Sequence, residues 1–372
     1  MIKVLQVLEA TEGGTRHHLR DLVGALDPAE FRVDLAVSCG RDPAFRDDVA
    51  AYVSRGLSVV EVPMRRGLAP AADLTSLIRL VRCVRRMRPD VIHAHSSKAG
   101  FLSRLAGVVC GVPVVYTPHV FSFLMDCGKG RRRLYRFLER CVRGATAALV
   151  AVSEEEMREA LALGYARERI RLVPNGVSAP ARQEPACARA VLRVGFFGRL
   201  TRQKGPDLLL EAAADVVAHV PQVRFEVYGE GEMAGALRAQ IEKSQLAACV
   251  RLNGAYAQGE ALDLMRQVDV VAVPSRWEGC PYVVLEAWQA GVPVVASAVG
   301  GVPDLIRNGV NGVCVRARDA EALCDGLLEV LRDPQRRLQL AAQGRAALSA
   351  YTIEAMAGAV GEIYRRVRVG RA

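Results

Sequence analysis

No C-x-x-C pair occurs among the ten cysteines, and no uncharged apolar run reaches the roughly 18 residues that a membrane-spanning helix needs. The cysteines are scattered, several of them inside apolar helical or strand patterns (Cys83, Cys110, Cys141, Cys249), which fits a reduced cytoplasm. The missing span makes the expected protein soluble or peripheral. Met1 to Ala10 has no small-residue cleavage site and alternates like a strand, so no export is expected. Nor does the chain hold an aromatic-interleaved basic strand or a helix-turn-helix pattern, which sets nucleic acid aside as a partner.

What is present is an ordinary globular balance, 51% hydrophobic and 24% charged, over 372 residues. Single cores stop growing near about 250 to 300 residues, so two domains are expected. The net charge of +10 suits a polyanion such as an anionic membrane surface or a phosphorylated substrate, and an arginine-rich, GC-rich genome would produce it as well.

Apolar strand-like runs (Lys3 to Leu8, Phe31 to Val37, Val91 to Ala94, Val112 to Tyr116, Ala148 to Val152, Ile170 to Val173) alternate with helix-period segments. That alternation builds a parallel sheet with crossover helices. The pattern loosens through Ser178-Ala179-Pro180 and Gln183-Glu184-Pro185, the expected linker, before Leu192 to Phe197 opens a second series. The second series repeats the first. Asp90-Val91-Ile92-His93-Ala94-His95-Ser96, a helix and Gly111-Val112-Pro113-Val114-Val115 are matched by Asp269-Val270-Val271-Ala272-Val273-Pro274-Ser275, a helix and Gly291-Val292-Pro293-Val294-Val295. The expected fold class is α/β: Rossmann-like domains at 1–178 and 190–350, their sheets facing a cleft, with a terminal helix at 352–368 packing back on the first. Ligands of open α/β sheets sit beyond the carboxyl ends of the strands, so function belongs on those loops.

Three loops carry chemistry. Glu9-Ala10-Thr11-Glu12-Gly13-Gly14-Thr15 follows the first strand, with a helix expected from near Arg16. Gly13 and Gly14 either let a phosphate approach the helix N-terminus or simply make a tight turn. Gly198-Arg199-Leu200-Thr201-Arg202-Gln203-Lys204-Gly205 brings two cations to a helix start, where Arg199 and Lys204 can neutralise a leaving diphosphate; the alternative is a solvated basic turn. Glu278-Gly279-Cys280-Pro281-Tyr282-Val283-Val284-Leu285-Glu286 runs from a loop into a helix. Glu278 can then reach a substrate and Glu286 a ribose, with amides near Val283 and Val284 towards phosphate, unless both acids merely complement the helix dipole. Gly229-Glu230-Gly231-Glu232-Met233-Ala234 imitates a dinucleotide fingerprint, but the next strand ends in Asn253 where that fingerprint needs an acid. His17, His18, His93 and His95 show no spacing that closes a coordination sphere with Cys or carboxylate partners. His95 reads as a satisfied loop histidine or as one facing the cleft.

The Gly13-Gly14 loop, Arg199 with Lys204, and the E-x7-E of Glu278 and Glu286 together resemble the retaining glycosyltransferases of family 4, which have the GT-B fold. So do Thr117-Pro118-His119, Ser153-Glu154, Val173-Pro174-Asn175-Gly176-Val177 and Gly300-Gly301-Val302-Pro303-Asp304, so the likeness spans nearly the whole chain. The resemblance implies that His119 reaches the donor sugar, that Glu278 contacts sugar hydroxyls, that Glu286 binds the ribose, and that Gly229 and Asn253 lie near the base. It further implies a nucleotide-sugar donor, UDP-linked and UDP-GlcNAc-like, with no cofactor and no obligatory metal; no Asp-x-Asp occurs in the chain. One departure falls at Cys280 and Pro281, where the family has an aromatic residue and a glycine; Pro281 lacks an amide N–H, which leaves the donor open.

Retaining chemistry of this kind needs no carboxylate nucleophile, since the leaving diphosphate oxygen can take the acceptor's proton. Between Gly130 and Arg143, Leu134, Phe137, Leu138, Cys141 and Val142 share a face bordered by Arg131, Arg132, Arg133, Arg136, Arg140 and Arg143. This reads either as a membrane-surface helix serving a lipid-linked acceptor at the inner leaflet or as a core-facing helix with a solvated rim; a saccharide acceptor is the other expectation. Two other activities fit the same residues, a GT-B-type nucleotide-sugar epimerase and a non-catalytic nucleotide-sugar-binding protein.

Overall fold

The apolar runs become parallel strands in the computed structural model, which describes residues 1–179 and 191–369. Much of the expected linker, from Pro180 to Ala190, therefore lies outside the described residues. The chain divides into two compact units: Met1–Asn175 with Ile353–Ala372, and Gly176–Thr352.

The first unit holds β1 (Ile2–Leu8), β2 (Phe31–Val37), β3 (Val59–Glu61), β4 (Val91–His95), β5 (Val114–Thr117), β6 (Ala148–Ala151) and β7 (Ile170–Leu172), in the order β3-β2-β1-β4-β5-β6-β7. The second holds β8 (Arg193–Phe197), β9 (Arg224–Tyr228), β10 (Val250–Gly254), β11 (Val270–Val273), β12 (Val294–Ser297) and β13 (Val313–Val315), ordered β10-β9-β8-β11-β12-β13. Every strand pairing is parallel. Helices cover both faces of such sheets, so strands like β11 are buried at every residue instead of alternating.

The order reverses between β1 and β4 in one sheet and between β8 and β11 in the other. Diverging connections leave a crevice at such a switch point, beyond the strands' carboxyl ends. The sequence repeat maps onto these positions. Asp90 exchanges two 2.8 Å bonds with the backbone of Lys3, its carboxylate accepting and its own N–H donating, and Asp269 does the same with Arg193. Gly111 and Gly291 end the following helices in the left-handed conformation, at φ 66° and 74°.

The terminal helix Ile353–Val369 belongs to the first unit. Its Met356, Ala357, Val360, Ile363 and Tyr364 recur at helical spacing and join Ile2, Val4, Phe31 and Val91 in one core, with Tyr364 fully buried. The first helix begins at Gly13, earlier than the expected start near Arg16, so Gly13 and Gly14 form its first turn.

The basic helix Lys129–Val142 differs from the core-facing expectation for its apolar face. Only Val142 of that set is buried; Leu134 is 42% and Phe137 62% exposed, and Cys141 is exposed. The helix is anchored instead by buried Glu139, which accepts Arg104 Nη1 and Nη2 at 2.9 and 3.1 Å and the hydroxyls of Tyr116 and Tyr165. A charge buried with four hydrogen bonds from three residues replaces the hydrophobic stripe that a core-facing helix normally uses.

Candidate active site

In the second unit the loops after β8 and β11 are stapled together. Arg276 N–H donates to Gln203 O at 2.7 Å, Gln203 Nε2 to Trp277 O at 3.2 Å, and the Arg276 guanidinium holds Asp207 with two bonds of 2.8 and 2.6 Å. This register carries Lys204 to Glu278. Lys204 Nζ lies 2.6 Å from Glu278 Oε1, and Ser275 Oγ donates to the same oxygen at 2.7 Å. Glu278 is 6% exposed, so the pair sits in a low-dielectric pocket with its charges close together. Arg199 is half-buried on the same loop, with Nη2 3.4 Å from Gln203 Oε1. Near it, Thr201 Oγ1 and Trp277 Nε1 are buried with no hydrogen-bond partner among the described residues.

Two glycines explain how the loops approach so closely. Gly300, at φ 56°, passes 1.8 Å from the Glu278 carbonyl measured from where its Cβ would stand, and Gly301 N–H donates to Gly279 O at 2.8 Å. Gly229, at φ 135°, would put a Cβ 1.9 Å from Gly198 O. The fingerprint-like turn is therefore a packing device for the β8 loop, whose Leu200 N–H donates to Glu230 O at 2.8 Å.

Gly279, Cys280, Pro281, Tyr282, Val283 and Val284 are all buried, and Glu286 is half-buried within the helix Tyr282–Ala290. The expectation of an open amide at Val284 does not hold: it donates to Pro281 O at 3.2 Å as the helix turns in. Glu286 lies close enough to Tyr256 for its charge to reinforce burial in raising the tyrosine hydroxyl's pKa. Tyr256 stands edge-on to the stacked rings of Phe197 and Tyr228, themselves 4.9 Å apart. Asn253, near the end of β10, donates to Glu226 Oε2 at 2.9 Å.

In the first unit, His119 sits at φ 52° and Val120 at φ 89°, a left-handed pair that costs energy in side-chain-bearing residues. Buried Glu156 holds this turn, its carboxylate accepting from Val120 N–H and, at 2.9 Å, from Val152 N–H. Burial pushes Glu156 up to about 7. Sequence reading missed it, although Ser153 to Glu156 is a capping-box spacing and Ser153 Oγ does cap the helix by accepting Glu156 N–H at 3.2 Å. Asp207, Gln203, Ser275 and Arg276 carried no comparable signal.

His18, His95 and His119 converge from three separate elements, their rings 4.6 to 5.4 Å apart. Burial lowers His18 to about 4 and holds His93, His95 and His119 well below the usual imidazole range. His95 is the last residue of β4 rather than a loop residue. Glu9, just past β1, is buried with Oε1 unpartnered among the described residues, and its Oε2 faces Ser96 Oγ at 3.4 Å and Arg41 at 3.6 Å. Burial raises its pKa despite Arg41.

Two all-parallel α/β units with charged loops at their switch points define a GT-B glycosyltransferase fold. Residues 13–176 match a family model described as a glycosyl transferase 4-like domain, and 184–347 match glycosyl transferases group 1. The D-inositol 3-phosphate glycosyltransferase of Thermobispora bispora is 32% identical over 332 residues, 80% of this chain and 77% of that protein. The UDP-Gal:alpha-D-GlcNAc-diphosphoundecaprenol alpha-1,3-galactosyltransferase of Escherichia coli is 29% identical over 298 residues, 76% of this chain and 77% of its own. Among solved structures, Anabaena Alr3699/HepE in complex with UDP and glucose has the same fold, with a TM-score of 0.81 at 22% identity over 97% of this chain and 99% of that one. The chain belongs to the group 1 glycosyl transferases and is a glycosyltransferase.

Proposed function

We propose that the protein transfers a hexosyl or N-acetylhexosaminyl group from a UDP-sugar, with retention and without a metal, to a lipid-linked or saccharide acceptor in bacterial surface polysaccharide or glycolipid assembly. The observation that carries this reading is the Lys204–Glu278 contact at the switch point of the second sheet. Lys204 and Arg199 meet the diphosphate as its negative charge grows, which is the task a metal ion otherwise performs. Glu278 uses Oε1 for Lys204 and Ser275 and turns Oε2 to a sugar hydroxyl. The family resemblance gives His119 a donor-sugar contact and Glu286 the ribose. Gly13 and Gly14, exposed in a helix's first turn, offer their amides to phosphate.

The acceptor class draws on the Escherichia coli relative, whose name specifies a diphosphoundecaprenol-linked sugar and a UDP-galactose donor. The exposed Leu134 and Phe137 within an arginine-rich helix suit the anionic inner leaflet, and no helix among the described residues is long and apolar enough to cross a membrane. The test is direct. Purified protein is incubated with UDP-sugars and a polyprenyl-diphosphate-linked sugar, with and without EDTA, and the product's anomeric configuration is read by NMR. Transfer with retained configuration and an unchanged rate in EDTA is expected. Inverted product or loss of activity on chelation overturns the mechanism; donor binding without turnover points to a sensor, and a new sugar formed without acceptor to an epimerase.

A further inference from the structure

Two of the histidines that showed no metal spacing along the chain, His18 and His95, come together with His119 in the fold. His18 comes from the first helix, His95 from the end of β4 and His119 from the turn after β5, and their candidate ligand nitrogens lie within 4.8 Å of one another. We infer that His18 Nε2, His95 Nδ1 and His119 Nε2 form a binding site for one zinc-like divalent transition ion.

The hydrogen bonds select these atoms. His18 Nδ1 faces Asn175 Oδ1 at 2.9 Å, and since that oxygen only accepts, the ring proton is on Nδ1 and Nε2 keeps its lone pair. That Nε2 is buried and has no hydrogen-bond partner among the described residues. His95 Nε2 faces Gln6 Oε1 at 2.8 Å, which places its proton there and leaves Nδ1 as an acceptor. Gln6 is itself oriented, because its Nε2 donates to Tyr364 OH at 2.8 Å. His95 Nδ1 then meets His119 Nε2 at 3.1 Å, two nitrogens already separated about as two ligands on one ion are. In the absence of metal His119 donates its Nε2 proton to His95; with metal, that proton moves to Nδ1 or solvent and Nε2 turns to the ion.

An imidazole ligand that donates its other N–H to a fixed oxygen is the outer-shell arrangement that orients metal-binding histidines, and two of the three rings have it, through Asn175 and Gln6. Three nitrogens without a carboxylate suit zinc, cobalt or nickel rather than magnesium or calcium, and they leave a fourth position open. The site does not depend on the proposed reaction. If His119 does meet the donor sugar, a bound ion withdraws it and acts as an inhibitor instead of a cofactor.

The probes are Zn2+ by titration calorimetry and Co2+ by visible absorption, on the full-length protein. One saturable equivalent is expected, with a cobalt spectrum of low coordination number. H18Q and H95Q should each weaken binding by about a hundredfold, and Asn175→Ala, which leaves all three ligands in place, by about ten- to a hundredfold. Exposed His219 is the control, and H219Q should bind as the wild type does. Non-saturable binding, unaltered affinity in H18Q, or equal losses in H219Q and H95Q overturn the site. Should H18Q or H95Q lose its near-UV circular dichroism, N175A and H219Q still decide: equal affinity in those two rejects the site, and a selective loss in N175A supports it.

Discussion

Lys204 and Glu278 illustrate how a single contact can serve stability and chemistry with separable consequences. Lys204→Ala removes the positive charge from a carboxylate that is 6% exposed, so it leaves a buried acceptor poorly satisfied and should cost about 1–3 kcal/mol. On the proposed reaction it should also lower kcat by about a hundred- to a thousandfold, the size expected for losing one stabiliser of developing charge. The double variant K204A/E278Q separates the two effects. Its amide no longer needs a cation, so thermal stability should recover while turnover stays low. Recovery of both in thermal melts and initial-rate measurements would make the pair purely structural. Of this site, the two residue types and the loops that bear them could be read from sequence, because Lys204 precedes a helix and Glu278 opens the E-x7-E. Their contact could not, since it depends on Asp207 and Arg276 clamping the loops, 69 positions apart along the chain.

Loops and helix ends show the same division between what is local and what is not. The repeated Asp, strand, helix, Gly-Val-Pro unit was legible because it is a contiguous pattern that occurs twice, and its glycine closes the helix just before it; the bridges from Asp90 to Lys3 and from Asp269 to Arg193, 87 and 76 positions back, were not legible. β3 escaped notice because three residues at a sheet edge leave no period to detect. The histidine cluster was equally hidden, its members on three elements that only the sheet order brings together. Gly229 looked like part of a nucleotide fingerprint, whereas its lack of a side chain admits Gly198 O, so Gly229→Ala should destabilise the second unit by several kcal/mol and lower its urea midpoint. Glu156 gives a pH-dependent prediction for the first unit. Its folded pKa of about 7 lies above the ordinary 4.5, so the folded chain binds its proton more tightly. Its contribution to stability is then fully present below about pH 4.5 and lost as pH rises through about 7. E156Q does not titrate, so the wild type should lose roughly 1–3 kcal/mol relative to it across that window, read from urea denaturation of both proteins at intervals of pH. A constant difference would mean that Glu156 stays ionised throughout and grips the His119–Val120 turn as a carboxylate.

For the molecule as a whole, the question is what a net charge of +10 serves. Single surface ion pairs contribute little to stability, so the excess arginine is poorly explained by folding. The helix Lys129–Val142 offers a use. Glu139 secures one side of it to the first unit through Arg104, which frees the opposite side from any packing duty. There Leu134 and Phe137 stay exposed among Arg131, Arg132, Arg133 and Arg140, a combination that pays a hydration cost in water and recovers it at an anionic interface. Each basic side chain near such a surface contributes about 1 kcal/mol, falling off within a Debye length, so binding should weaken steeply with salt. L134E/F137E places two carboxylates where the lipid would be and touches no residue of the nucleotide or histidine sites. It should abolish flotation with anionic phosphatidylglycerol vesicles while leaving the melting temperature and hydrolysis of a soluble UDP-sugar as in the wild type. Flotation of the wild type with purely zwitterionic vesicles at the same level, or unchanged flotation of the variant, would assign the basic charge to something other than a membrane.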